Sequence, residues 1–307
     1  MTPDRVDLFE ADIADSPAAL GRLLDAWQPV DLGPTGRVAF VGLGSSRFAA
    51  EVVTPHMRAR GWSAWVEIAG AEPPTLPADD LTLVAISASG GTPEVIAAAR
   101  RHRGHGRVVA VTNRPDSALA ASADHLVALD AGEESAGIAC HTFRATIAVL
   151  ALASGVASVD DLRQAVERMS AVLADRPRWA PPLVEGLDGA SAIDVLADGP
   201  LLGVADQAAL MLREAPRLPA HAASTVDWLH TGVYLAWPGH RLVLYPGSAA
   251  DDEVVATAAR RGVTLLTVDP GVGADDPIVR AIVDSVVMEC VAADLWRRAT
   301  AYETGSG

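Results

Sequence analysis

LTLVAISASGGTPEVIAAARRHRGHGRVVAVTN, residues 81–113, is the stretch whose reading decides the fold. LTLVAIS (81–87) is a continuous apolar run of strand length, the pattern of a strand buried on both faces. Small residues follow, and TPEVIAAARRHRG (92–104) has helical spacing and a glycine at its end. RVVAVTN (107–113) is a second apolar run, so the order is strand, turn, helix, strand. HRLVLYPGSAADDEVVATAARRGVTLLTVD (240–269) repeats that order element for element, which reads as internal duplication of a βαβ module. The copies differ at the turn. SASGGT is uncharged, whereas PGSAADD adds two carboxylates that would repel an anion.

Further strands are expected at RVAFVG, which leads into the turn GLGSSR (42–47), and at WSAWVEI (62–68). DSPAALGRLLDAW (15–27) reads as a helix capped by Asp15 or Ser16, with Pro17 in its first turn. Helices are predicted over 141–154 and 159–175. DRPRWAPPLVEG carries three prolines, so 176–186 is expected to be a linker separating domains at 1–175 and 187–307. The second half is expected to restart at PLLGVAD (200–206), leading into the helix QAALMLREAP. The class is therefore α/β, with parallel sheets covered by helices.

The bulk numbers narrow the function. With 307 residues, half of them hydrophobic, the chain can bury a large core, and a net charge of −15 without a basic run excludes nucleic acid. A small anion remains possible, because backbone N–H groups and helix dipoles act locally. The first twenty residues lack a signal-peptide core, and the longest apolar stretch, 147–159, is too short for a bilayer. Only Cys140 and Cys290 are present, which suits a cytoplasmic setting and forms neither a disulfide framework nor a metal site. All 24 basic residues are arginine, so Schiff-base chemistry on lysine is excluded for this chain.

Two turns then invite a ligand reading. Ser87, Ala88, Ser89, Gly90 and Thr92 form one; Gly44, Ser45 and Ser46 form the other. Successive N–H groups and hydroxyls before a helix suit a phosphate, while small residues also simply turn a chain. GLGSSR begins like a dinucleotide fingerprint, with Glu67 placed like a ribose-binding acid, but Arg47 stands where the third glycine belongs. Cys140-His141 is a thiol beside an imidazole, yet adjacent helical residues point in different directions.

Taken together, GLGSS, SASGGT, VTNRPDSALAASADHLVALDAGEE and ALMLREAPRLPAHAASTVDWLHTG resemble, in order, the motifs of the sugar isomerase (SIS) domain family. The resemblance is to tandem-SIS phosphosugar isomerases and deaminases, including the isomerase half of glucosamine-6-phosphate synthase. It implies two SIS domains, each a flavodoxin-like three-layer sandwich, a homodimer, and a hexose or amino-hexose 6-phosphate as substrate, with no cofactor, metal, membrane or nucleic-acid partner. By the same resemblance the two turns hold the phosphate, with Glu134 lining the site or capping a helix. Glu214 takes the C2 proton, and His230 assists ring opening, with His221 and Asp227 as supporting or merely exposed neighbours. Aldose–ketose isomerisation, with or without deamination, is the implied outcome. Met211 stands where synthase-branch relatives have lysine, so ammonia transfer is not expected. A dehydratase or lyase that expels a C3 substituent, and a non-catalytic phosphosugar sensor, are the alternatives.

Overall fold

The computed structural model describes residues 4–30, 32, 36–271, 273 and 276–305. In chain order its first elements are α1 (Arg5–Ala26), β1 (Arg37–Gly42), α2 (Ser45–Ala59), β2 (Ser63–Ile68), β3 (Thr82–Ile86), α3 (Pro93–His102), β4 (Arg107–Thr112) and β5 (His125–Ala128). Then follow α4 (His141–Ala153), α5 (Val159–Ala174), α6 (Arg176–Leu187), β6 (Ala192–Ala197), α7 (Leu201–Glu214), β7 (Ala220–Ser224) and α8 (Thr225–Trp228). The last are β8 (His240–Leu244), α9 (Asp251–Arg261), β9 (Thr264–Thr267) and α10 (Pro277–Gly305). Among the described residues no helix is long and apolar enough to cross a membrane.

The chain divides into two compact units. One comprises Ala18–Glu133 and His141–Gln164 and contains a sheet of order β2-β1-β3-β4-β5, parallel throughout. Ala39, Val41, Leu83, Ala85, Val108 and Ala110 bury one face of it with Val95 and Ala99 of α3. Their alternate neighbours Val38, Phe40, Val84, Ile86, Val109 and Val111 are buried too, as expected of a sheet covered on both faces. α4 is buried all round from His141 to Ala151, apolar without a break from Ile147 onward but with His141, Thr142, Arg144 and Thr146 also buried in its first turns.

The other unit comprises Met1–Pro17, Glu134–Cys140 and Ala165–Gly307. Its sheet, β7-β6-β8-β9, is also parallel. The β8-α9-β9 module occupies in this sheet the position that β3-α3-β4 occupies in the first, after a central strand and its outer neighbour. Leu196, Leu242 and Leu244 pack with Trp228, Val254 and Ala258, while α10 lies against α6 and α7.

Three local expectations differ. α1 begins at Arg5 and carries Pro17 in its interior, because the buried stripe Val6, Phe9, Ile13, Leu20, Leu24 runs through the proline at helical spacing. The Ser16 hydroxyl donates to the Asp12 carbonyl (3.1 Å) rather than capping a helix start. PLLGVAD lies in the first turns of α7, and the strand before it is β6; helical spacing buries Leu201, Val204, Ala205, Ala208 and Leu212. The segment read as a linker is α6. Pro177 sits where a missing N–H costs nothing, and burial of Trp179, Leu183, Val184 and Leu187 offsets the bonds lost at Pro181 and Pro182. Gly186 allows the close approach of β9, since a Cβ there would stand 2.6 Å from Leu266. The unit boundary thus differs from one at 176–186: Met1–Pro17 and Glu134–Cys140 group with the later residues.

Candidate active site

In the first unit both ligand-like turns lie at the carboxyl ends of adjacent strands. β1 and β3 pair in register, Val41 beside Ala85, and the strand order reverses at this pair. Such a switch point opens a crevice between the helices that leave in opposite directions. Gly42 allows close packing here, since a Cβ would lie 3.2 Å from Arg47 N and 3.3 Å from the Ile86 carbonyl. Gly44, with φ 51°, turns the chain into α2, leaving Ser45 and Ser46 in the helix's first turn.

The second turn is held firmly from below. Gly90, at φ 61°, donates its N–H to the Ser87 carbonyl (3.0 Å), and a Cβ there would stand 2.1 Å from Ser117 Oγ. The Thr112 hydroxyl and Asn113 N–H both donate to the Ala88 carbonyl (3.1 and 3.0 Å). The hydroxyls of Ser87 and Thr92 pair with each other at 2.8 Å, and Gly91 N–H donates to Ser89 Oγ at 3.2 Å. Thr92 occupies the N-cap of α3 without a side-chain bond to the helix, with Pro93 in the first turn. The geometry presents hydroxyls and α3's first N–H groups at one point, a chemistry suited to an oxyanion.

The duplicated turn of the other unit resolves the same problem internally. There the Asp251 carboxylate accepts the N–H groups of Gly247 (2.6 Å) and Ser248 (3.0 Å). A side-chain anion occupies the donors of this turn, whereas SASGGT of the first copy has no carboxylate. Two further candidates of the first unit are engaged locally. Arg47 pairs with Glu51 and covers the Phe48 ring at 4.6 Å, while Glu67 accepts the Thr75 N–H at 3.1 Å. Both have structural partners, so the dinucleotide reading gains nothing.

The second unit holds the carboxylates. Glu214 ends α7, half-buried, and burial pushes its carboxyl above the usual glutamate range. Arg213 and Arg217 pull the other way, the charge of Glu134 adds to the rise, and Arg5 opposes it. The loop 134–140 is stitched at four points. Cys140 N–H donates to Glu134 Oε1 (2.7 Å), Ala136 N–H to Asp12 Oδ2 (2.9 Å), Arg5 to the Ala136 carbonyl (2.9 Å), and Gln207 Nε2 to the Ala139 carbonyl (2.7 Å). Glu134 therefore orders its own loop while acting electrostatically on Glu214. Gln207, Met211 and Glu214 follow one another on one face of α7, a spacing visible in the sequence although Gln207 draws no attention there.

His230 lies just beyond α8, exposed, its N–H bonded to the Asp227 carbonyl at 2.9 Å. His221 and Asp227 are exposed as well, and Asp227 also receives the Thr231 hydroxyl. Cys140 and His141 are both buried. Among the described residues no three His, Cys, Asp or Glu side chains group as metal ligands do.

The model of the SIS domain family matches residues 32–154. Two curated relatives are glutamine–fructose-6-phosphate aminotransferases: that of Aeropyrum pernix is 29% identical over 256 residues and that of Sulfolobus acidocaldarius 26% over 217. These alignments take in 76% and 69% of this chain but only 41% and 37% of the relatives, so the chain spans about two fifths of their length. Among solved structures, glucosamine-6-phosphate deaminase from Thermotoga maritima superposes with a TM-score of 0.78 at 18% identity, covering 95% of this chain and 94% of that one. The C-terminal domain of glucosamine-fructose-6-phosphate aminotransferase from Francisella tularensis gives 0.73 at 17%, covering 94% and 96%. These likenesses concern the fold, α/β with parallel sheets flanked by helices. The match to the SIS domain family thus rests on residues 32–154, about two fifths of this chain.

Proposed function

We propose that the chain is an enzyme of sugar-phosphate metabolism that moves the C2 proton of a hexose or amino-hexose 6-phosphate. The outcome is aldose–ketose isomerisation, with or without deamination. Ser46, Ser87, Ser89 and Thr92 hold the phosphate, with the N–H groups around Gly44, Ser45, Ala88 and Gly90 contributing. Glu214 is the base and His230 serves ring opening. The observation that carries the reading is the contrast between the duplicated turns: Asp251 fills one, whereas the other has no carboxylate and is lined by the neutral hydroxyls of Ser87, Ser89 and Thr92. The printed names of the relatives, all concerned with hexose 6-phosphates, support the substrate class. A half-buried glutamate with raised proton affinity supports the base, because a base works best with its pKa near the working pH. The chemistry needs neither metal nor amine, which accords with a chain that has no lysine and a buried Met211 beside Gln207.

We also read the protein as a cytoplasmic homodimer. His230 is flanked by the exposed side chains of Val226, Tyr234, Leu235 and Trp237, an apolar crest of the kind that interfaces use.

The test is solvent deuterium uptake at C2 of fructose 6-phosphate and glucosamine 6-phosphate, followed by NMR. Glu214→Gln should cut exchange about a thousandfold, the range of a general base, and still be stabilised thermally by the sugar phosphates. Full exchange in that variant would remove Glu214 as the base. Formation of an ultraviolet-absorbing enone would indicate elimination instead, and binding by wild type without any exchange would make the protein a sensor.

A further inference from the structure

AIDVLA, the sequence of β6, places a carboxylate in an otherwise apolar central strand. Asp194 lies beside Leu242 of β8 and His221 of β7, with its side chain 13% exposed. A charge this deep is costly unless donors converge on it. One does: Trp228 Nε1 donates to Asp194 Oδ2 at 2.8 Å, while His240 Nε2 stands 3.2 Å from the same atom without forming a hydrogen bond to it. The other ring nitrogen of His240 faces the Leu235 carbonyl at 2.9 Å, and the Trp237 indole meets the imidazole edge-on at 5.6 Å.

These contacts bracket one segment. Trp228 precedes His230 by two residues, and His240 closes the loop that begins there. Within the loop the backbone bonds are short-range turns: His230 and Thr231 to Asp227, Ala236 to Val233, His240 to Trp237. Such turns shape the loop, and its backbone reaches the sheet only at its end, where Ser191 N–H donates to the Gly239 carbonyl (3.0 Å) and His240 pairs with Ala192. Burial of Trp228, Val233 and Ala236 gives adhesion, and Gly232 lets the indole lie against the backbone, where a Cβ would stand 2.2 Å from its Cδ1. At the start of the segment direction comes from Asp194, because its carboxylate oxygen takes the Trp228 ring donor and so fixes that end relative to β6; at the other end His240 is itself in register with Ala192 of β6.

We propose that Asp194 is a positioning residue for His230, acting through Trp228. The proposal rests on the reading of His230 as a group that assists the sugar reaction, and it predicts coupling that a general loss of stability would not produce. Asp194→Asn keeps an oxygen for Trp228 but loses the charge, and Trp228→Phe keeps the ring but loses the donor; the second serves if the first does not fold. In both, amide hydrogen exchange over residues 229–240 should quicken about tenfold, the size expected for one lost charge-assisted bond. The His230 ring signals should shift in the NMR spectrum, and both should be read on the whole chain without ligand. Unchanged exchange and unchanged ring signals in both variants overturn the proposal.

The coupling is read as C2 exchange in fructose 6-phosphate and glucosamine 6-phosphate in a double-mutant cycle. Asp194→Asn should lower kcat at least tenfold, with little change in KM, when His230 is present. It should have almost no further effect in a His230→Gln background. An equal loss in both backgrounds makes Asp194 a purely structural residue and overturns the proposal while leaving the reading of His230 intact. If His230→Gln alone leaves kcat unchanged, that reading fails and the proposal falls with it, a separate and recognisable result.

Discussion

Glu214 and Glu134 belong to one unit and influence one another through charge, and their roles separate in pH. As the proposed base Glu214 works deprotonated, so on that reading activity is present above its pKa and falls as pH drops through it. Burial raises that pKa first of all, and Glu134 raises it further. The acid limb of kcat/KM should therefore lie above the ordinary glutamate value of 4.5. Glu134→Gln keeps an oxygen for the Cys140 N–H and removes only the charge, so the limb should move to lower pH. A limb that stays or rises, measured in the free enzyme, would sink this account. At this scale the sequence is most legible for Ser87 and Thr92, whose hydroxyls meet because both line one short turn. Gln207, Arg5 and Asp12 are illegible there, because what they do is hold the loop 134–140, remote in sequence from each of them.

The two turns are elements built from related sequence with opposite solutions, and their failures should differ. Gly90→Ala meets both a left-handed φ and a Cβ only 2.1 Å from Ser117 Oγ. Strain of roughly 1–2 kcal/mol from the backbone, with the clash added, should lower the urea midpoint and abolish thermal stabilisation by inorganic phosphate. Asp251→Ala instead strips the acceptor from Gly247 and Ser248, costing about 1 kcal/mol as lost caps do, with no effect on phosphate binding. If Asp251→Ala weakened phosphate binding as Gly90→Ala does, the division of labour between the copies would be wrong. Strands such as β1, β3 and β4 are plain in the sequence because a both-faces-buried strand needs an unbroken apolar run. α1 and α6 are not, because proline rules describe isolated helices, and burial of Phe9 and Ile13, or of Trp179 and Leu183, outweighs them here.

For the whole molecule, the pH dependence of stability has an identifiable contributor in Asp284 of α10. Burial raises its carboxyl from 3.8 to about 6, against the opposing pull of Arg280, whose Nε lies 3.1 Å from Oδ2. The folded-state pKa exceeds the unfolded one, so the folded chain binds the proton more tightly. Its penalty is absent below about pH 4 and grows until pH passes about 6. The full penalty is about 3 kcal/mol, so Asp284→Asn should gain on wild type in Tm as pH rises from 4 to 7. A Tm difference independent of pH would contradict this.

The sequence by itself determined the α/β class, the duplicated βαβ module and the uncharged turn that suits an anion. Each of these is local, written in runs and spacings of a few residues. Only the tertiary structure decided which residues join each unit, that the prolines of α6 sit inside a helix, and that Asp251 fills its own turn. It alone brought Trp228 and His240 to one oxygen of Asp194. Those outcomes depend on what burial and pairing at long range are worth, and such energies do not appear in local spacing.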